Sequence, residues 1–478
     1  MRTLSLIEGQ FRANEKSCAA RQIEEKSVIC VCNSTYCDEL TREIPQKGHY
    51  VTYTSSKTGS RFKKNFGKFK PIRGQEKCKY FFELHPYKMY QTIEGFGAGA
   101  TGTAGYNVKS LPRPAQENLI KSYFSDKGLE YNMLRVPIGG SDFSLSEFAY
   151  NESPIDDYDL TNYTLSNEDY HYKIPIIKRM MDVSKSPVYV IASTWSPPKW
   201  MKYYTDNNPT CGFLKNEFYQ TYADYHLKFL EKYALEGIPV WGITTTNEPT
   251  VAFTDIPAKI CIAFIAKQMG KFIAENLGPT IRNSTFKETK ILALDDQRYT
   301  ITSDFYDIIN NYPKVLDYID GLAVHFYFDT STPVQTLKDL HERYPELFVI
   351  ATEACRGNLP TDEKRVDLGS WERGEDYIKD IIQDLNNNII GWMDWNYCLD
   401  TNGGPNWGGS YVDSPIIVDA VKGEFLKQPM FYAMGHFSKF IPRGSRRIRV
   451  EEKSSSKGTD EVAFVTPQNT VVLVIYNE

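Results

Sequence analysis

From about residue 93 to residue 396 the chain alternates short apolar runs with longer amphipathic, charge-rich stretches. Eight of the short runs read as strands. They end near Gly95-Phe96-Gly97-Ala98-Gly99, Asn132–Pro137, Pro187–Ser193, Val240–Thr246, Lys290–Leu294, Gly321–Val324, Leu347–Thr352 and Ile389–Asn396. A strand buried on both faces reads as a nearly continuous aliphatic run, and these largely do. Strand followed by amphipathic stretch, repeated, is the pattern of βα units around a parallel sheet. Eight units in about 300 residues fit a closed (β/α)8 barrel. An open doubly wound sheet finds no support, because Gly95–Gly99 has the glycines of a dinucleotide loop without their spacing.

The flanks follow another rhythm. Residues 1 to about 90 read as turns and short alternating strands such as Gly48–Thr54, and the basic run Lys57–Lys70 reads as a solvated hairpin face. Beyond 397, Gly403–Gly409 is a loop, and Val462–Val465 and Val471–Tyr476 are strands turned at Pro467-Gln468-Asn469. The N-terminal strands need sheet partners, so both chain ends are expected to meet in β-structure beside the barrel. The expected fold is α/β: a (β/α)8 TIM barrel at 93–396 plus 425–440, an accessory β-sandwich-like domain at 42–92 plus 441–478, and a small β-rich disulfide segment at 1–41 plus 397–424.

Composition narrows the class. A net charge of −5, with no stripe of Lys and Arg, gives nucleic acid no footprint. No apolar run approaches the length of a membrane span. Four of the nine cysteines, Cys18, Cys30, Cys32 and Cys37, crowd together while Cys78, Cys211, Cys261, Cys355 and Cys398 are scattered. The crowding favours disulfides over zinc, since the spacing is not that of a finger and no His lies within it. Sequons at Asn33, Asn151, Asn162 and Asn283 add weight to a secreted or lysosomal route. Against that route, the first ten residues lack the apolar core of a signal peptide.

Unusual polar residues fall where the apolar runs end. Arg135, Trp195, Asn247, Glu248, Arg298, His325, Tyr327, Glu353 and Trp395 all stand at or near the C-terminal ends of strands, which converge on one cleft in such a barrel. Glu248 follows the fourth run and Glu353 closes the seventh. Two carboxyl groups are what glycosidic cleavage uses. With retention, one carboxylate attacks the anomeric carbon while the other carboxyl protonates the leaving oxygen, the pair standing about 5–5.5 Å apart. Glu353 as nucleophile must be ionised, which Arg135 and Tyr327 would favour. Glu248 as acid must keep its proton, which a second carboxylate nearby favours. Asn247 can hydrogen-bond a sugar 2-hydroxyl. Each residue also has a plainer reading. Asn247-Glu248-Pro249 can be a helix start, His325 a hydrogen-bonded structural histidine, and the tryptophans core residues. Cys355 lacks a visible His partner and reads as packing. No His-x-x-x-His pair supports a zinc hydrolase, and no metal or cofactor is expected.

These stretches resemble the glucosylceramidases of glycoside hydrolase family 30, the lysosomal acid β-glucosidases. The resemblance runs from about Cys18 to the end. It is carried by Val28–Asp38, Arg135-Val136-Pro137, Leu294-Asp295-Asp296-Gln297-Arg298, Glu353-Ala354-Cys355, Gly403-Gly404-Pro405-Asn406-Trp407 and Gly435–Pro442 in that order. It implies Glu353 as nucleophile and Glu248 as acid/base, with Asp142, Trp195, Asn247, Trp395 and Asn406 as glucose contacts supported by Arg135, Arg298, His325 and Tyr327. It implies Cys18–Cys30 and Cys32–Cys37 disulfides and no cofactor. It further implies glucosylceramide as substrate, a saposin-type activator, an anionic membrane surface and lysosomal work at acid pH. Two positions depart: Gly102 stands where the family usually has Asp, and Lys259 replaces an aromatic near the cleft mouth. The alternatives are a retaining β-glycosidase acting on another glycoside or polysaccharide, and an inactive carbohydrate- or lipid-binding relative.

Overall fold

The computed structural model describes residues 15–71, 80–206, 208–256, 258–359, 362–453 and 458–478. Eight parallel strands close into a barrel in chain order. They are β1 Gly95–Gly99, β2 Met133–Ile138, β3 Tyr189–Thr194, β4 Val240–Thr244, β5 Lys290–Gln297, β6 Gly321–His325, β7 Phe348–Glu353 and β8 Ile389–Asp394. All eight coincide with the aliphatic runs of the sequence.

Inward-facing side chains recur every second residue of a strand. Along β2, β3 and β7 they step from Met133, Ile191 and Ile350, packed together in the barrel floor, to Arg135, Ser193 and Thr352 one repeat further on. The floor is apolar and the upper layer polar, so the chemistry lies at the C-terminal mouth. Close strand contact needs small residues at one point. A Cβ on Gly99 would lie 1.8 Å from the carbonyl oxygen of Trp395, so only glycine lets β1 press against the chain leaving β8. The helices pack outside; Trp371–Asn386 is capped by Ser370, whose hydroxyl accepts from Arg373 N.

The chain ends build two sheets. Ala20–Arg21 pairs with Ile29–Cys32, which pairs with Glu424–Lys427, and the sheet continues to Ile416–Asp419 and Leu399–Asp400. This sheet passes the expected boundary at 424, because Cys30 to Cys32 need Phe425 to Lys427 as ladder partners. Phe82–Thr92 pairs with Arg446–Glu452, and Thr459–Val465 and Val471–Asn477 complete a four-stranded sheet. The hairpin His49–Thr54 with Lys63–Lys68, expected in that second unit, forms a separate two-stranded sheet. It rests on the barrel side instead, Tyr53 packing on Phe440 with ring centroids 4.4 Å apart.

Disulfides join Cys18 to Cys30 and Cys32 to Cys37. A third joins Cys211 to Cys261, two cysteines that looked merely scattered. Cys355 and Cys398 are free and buried, and Cys78 lies outside the described residues. One sequon is corrected. Asn151 is only 7% exposed and its amide nitrogen donates to Asp157 Oδ2 at 3.3 Å, leaving no room for a glycan. Asn162 and Asn283 are exposed and Asn33 is half-buried. Among the described residues no helix is long and apolar enough to cross a membrane.

Candidate active site

Arg135 is the hub. Its guanidinium is fully buried and donates to Glu353 Oε2 at 2.6 Å, Asn247 Oδ1 at 2.6 Å and Asp295 Oδ2 at 2.7 Å. It also lies over Trp195 and Trp395, 4.8 and 5.4 Å from their ring centroids. The two indoles stack on each other at 5.1 Å with planes 18° apart. They therefore form a buried wall rather than two open platforms.

Glu353 ends β7 and is 5% exposed. Besides Arg135 it accepts from the Tyr327 hydroxyl at 2.7 Å, and His325 Nδ1 stands 4.0 Å away. Burial raises its carboxyl on balance, while the charges of His325 and Arg135 oppose that rise. Glu248 sits past β4 in left-handed backbone, φ +40°, a conformation uncommon outside glycine. The loop is held there from both sides. Glu248 N donates to Asp295 O at 2.9 Å, and Asp296 Oδ2 accepts from Thr250 N and Oγ1 at 3.0 and 2.7 Å. The Glu248 carboxyl takes two bonds on one oxygen: Gln297 Nε2 reaches Oε1 at 2.7 Å and His325 Nδ1 reaches it at 2.9 Å. A carboxylate oxygen of Glu248 and one of Glu353 lie within 4.8 Å of each other.

His325 links the two acids to the hub. Its Nε2 faces Asp295 Oδ1 at 3.0 Å while Nδ1 faces Glu248. Burial alone would discharge it, but the charge of Glu353 and bonds to Asp295 and Glu248 raise it to about 10. Each ring nitrogen faces a carboxylate oxygen, an arrangement that suits an imidazolium donating from both. Asp295 is held well below the carboxylate range despite burial, chiefly by the Arg135 charge and its bond from His325. It also accepts from Ser193 at 2.5 Å, Thr244 at 2.8 Å and Thr352 at 2.7 Å.

Asp142 and Asn406 meet at the rim, Asn406 Nδ2 donating to Asp142 Oδ2 at 3.2 Å. Burial, then the charge of Glu353, push Asp142 up to about 7. Trp407 Nε1 donates to Ser141 O at 2.7 Å and ties the two loops together. At Gly102 a Cβ would meet Glu168 Oε1 at 1.8 Å, so the Glu168 carboxylate fills the space an Asp side chain there would need. Lys259 lies along the same rim, its Cγ 3.1 Å from where a Cβ on Gly408 would be.

Arg298 does not join this group. Its guanidinium turns away to Asp329, to Asp384 Oδ1 at 2.6 Å and to Gln383 Oε1 at 3.0 Å, and it is sealed from solvent. The expectation of a substrate contact is corrected here: the arginine is spent on a buried cluster behind the strand. Asp295, Asp296 and Gln297 are the site-side residues that sequence reasoning passed over, although they stood in the Leu294–Arg298 stretch that carried the resemblance.

The glycosyl hydrolase family 30 TIM-barrel domain matches residues 93–441 and that family's beta sandwich domain matches 444–478. The chain is 39% identical over 467 residues to the lysosomal acid glucosylceramidase of Mus musculus, spanning 96% of this chain and 89% of that protein. It is 36% identical over 474 residues to putative glucosylceramidase 4 of Caenorhabditis elegans, spanning 98% and 90%. Among solved structures, SrfJ from Salmonella typhimurium superposes with a TM-score of 0.79 at 26% identity, covering 90% of this chain and 92% of that one.

Proposed function

The chain belongs to glycosyl hydrolase family 30, and from that membership and its paired glutamates we propose a retaining β-glucosidase that hydrolyses glucosylceramide to glucose and ceramide. The observation that carries the reading is that a carboxylate oxygen of Glu248 and one of Glu353 lie within 4.8 Å of each other, which supports the short separation of double displacement over the wider one of inversion. Glu353, ionised by Arg135 and Tyr327, attacks the anomeric carbon as Glu248 gives its proton to the glycosidic oxygen. Oε1 of Glu248 already accepts two bonds, so Oε2 holds that proton. Ceramide leaves as a neutral alcohol and glucose stays esterified to Glu353. Glu248, now a carboxylate beside the His325 imidazolium, takes a proton from water. The hydroxide attacks the same carbon, Glu353 departs as carboxylate, and β-glucose is released. Asn247, its side-chain carbonyl fixed by Arg135, turns its amide nitrogen to the sugar 2-hydroxyl.

Trp195, Trp395, Asp142 and Asn406 line the glucose position in this reading, and Arg135, His325 and Tyr327 support the acids. Location in the lysosome goes with it, supported by the relative so named, the disulfides and the exposed sequons. Its partners are a saposin-type activator and an anionic membrane from which a lipid substrate has to be lifted. The test is turnover of glucosylceramide by the protein and by its Glu353→Gln variant. Loss on the order of 10⁴-fold or more is expected, as for removal of a nucleophile. A cyclitol epoxide should label Glu353 in the parent protein only. Equal rates would remove the nucleophile. Turnover of xylan without glucosylceramide would move the reading to a polysaccharide-cleaving relative, and no turnover of either would leave a binding protein.

A further inference from the structure

The turn after β4 is capped from outside. Pro249–Phe253 is a 3-10 turn with Glu248 at its cap position, and the Glu248 side chain makes no cap bond. The first amides of such a turn have no partner inside it, and a cap side chain ordinarily accepts from one of them. Here the Glu248 carboxyl is turned to Gln297 Nε2 and His325 Nδ1 instead. Pro249 has no N–H, so the amides left over are those of Glu248 and Thr250. Two successive residues of β5 meet them. Asp295 O accepts from Glu248 N at 2.9 Å, and Asp296 Oδ2 accepts from Thr250 N at 3.0 Å and from Thr250 Oγ1 at 2.7 Å. Farther along, the same segment is fastened by a hairpin that follows β3, Lys202–Thr205 paired with Asn208–Leu214. The hairpin reaches Ala252 O through Asn208 Nδ2 at 3.3 Å and Cys261 through the disulfide from Cys211. Asp296 grips the turn at its start.

Asp296 has no counter-charge. It is 1% exposed, and among the described residues no lysine, arginine or histidine forms an ion pair with it, whereas Asp295 and Glu353 are both paired with Arg135. Its three partners are neutral donors, the third being Gln297 N, which reaches Oδ1 at 2.7 Å. Burial, then the charge of Glu248, push it up to about 7. A buried carboxyl without a cation costs stability, so stability alone does not account for it. The turn it holds does. Glu248 stands at φ +40°, a conformation that persists outside glycine only where its surroundings over-determine it. We infer that Asp296 is a positioning residue for the reaction: it supplies the cap of this turn and so leaves the Glu248 carboxyl free to face the glycosidic oxygen. This rests on the reading of Glu248 as acid/base.

The test compares an ethyl glucoside, whose leaving group needs a proton, with a dinitrophenyl glucoside, whose leaving group does not. In Asp296→Asn the side chain keeps its shape but one oxygen becomes a donor, so at least one of the three bonds is lost. Its kcat/KM on ethyl glucoside should fall on the order of 10²-fold, the scale of a reacting group set back by about 1 Å, while dinitrophenyl glucoside is cleaved as by the parent. Thr250→Val, which deletes the hydroxyl bond alone, should show the same split to a smaller degree, and Thr250→Ser should keep the parent rates. The two Thr250 variants decide the matter if Asp296→Asn does not fold. Equal losses on the two substrates, no loss on either, or Thr250→Ser behaving as Thr250→Val overturns the inference. Glu248→Gln is measured alongside. If it shows no split between the substrates, Glu248 is not the acid and the reading beneath the inference falls with it. A split there, without one in Asp296→Asn or Thr250→Val, removes the role of Asp296 alone.

Discussion

Arg135 on β2 and Arg298 just past β5 both lie at the barrel's C-terminal end, fully buried and facing carboxylates. Their surroundings differ in charge balance. Arg135 and the imidazolium of His325 stand against Asp295 and Glu353, so cations match anions, and the group opens to the cleft through Glu353 and the half-buried Glu248. Arg298 alone faces Asp329, Asp380 and Asp384. Burial raises all three carboxyls, and the charge of Asp380 adds to it at Asp329 and Asp384, which stand well above the ordinary range. The first group can present a naked carboxylate to a substrate. The second sets one cation against three carboxyls and straps the chain after β5 and β6 to the helix Trp371–Asn386. A strand-end position brings a residue to the mouth of the barrel; the direction of the side chain and the local balance of charge decide whether it does chemistry.

The largest effect that sharpens this contrast should come from Glu248→Gln. Loss of a positioned proton donor costs about 10²–10⁴-fold on an alkyl aglycone. Glycosylation by a dinitrophenyl glucoside, whose leaving group needs no proton, should be spared. An equal loss on both substrates breaks the assignment.

Exchange of each arginine for methionine comes next. Arg135→Met and Arg298→Met should each destabilise the fold by about 3–5 kcal/mol, since each leaves buried carboxylates unpaired. With rates normalised to molecules labelled at the active site or judged folded by melting, Arg135→Met should still lose about 10²–10³-fold, the scale of a removed charge-stabilising donor. Arg298→Met should keep the parent turnover per folded molecule. Equal catalytic losses would return Arg298 to the substrate site.

The eight strands were legible because a parallel strand buried on both faces has no polar phase to obscure it, and Glu248 and Glu353 were legible as the points where such runs break. Asp295 was not. Between Leu294 and Asp296 the ladder with β6 shifts register, with φ +71° and +64° at Leu294 and Asp295. Such a bulge re-aims side chains, so period-two reasoning fails from there on. Asp295 turns to the hub, Gln297 to Glu248, and Arg298 away from both. The Cys211–Cys261 bond was equally hidden, since its partners are 50 residues apart and only the hairpin brings them together. Asn151 carries a correct sequon, but the burial that rules out a glycan comes from loops packed around it.

The smallest effect concerns pH. The folded-state pKa values of Asp329 and Asp384 lie above the unfolded value of about 3.9, so the folded protein binds more protons than the unfolded chain. The stability they contribute is complete below about pH 4 and is lost as pH rises through the folded values. Asp295 beside Arg135 behaves oppositely: it is held well below 3.9, so its contribution is lost only on strong acidification. Between pH 5 and pH 7.5 the acid-stable part of the melting curve therefore belongs to raised carboxyls, among them Asp142 and Asp296, each pushed up to about 7. Asp384→Asn keeps the shape and removes one titrating group from the Arg298 cluster alone. The melting temperature of this variant should fall less steeply from pH 5 to pH 7.5 than that of the parent, with Asp142 and Asp296 cancelling in the comparison. Parallel lines for the two proteins would mean that the cluster is ionised throughout, and the contrast between the two arginines would then rest on direction alone.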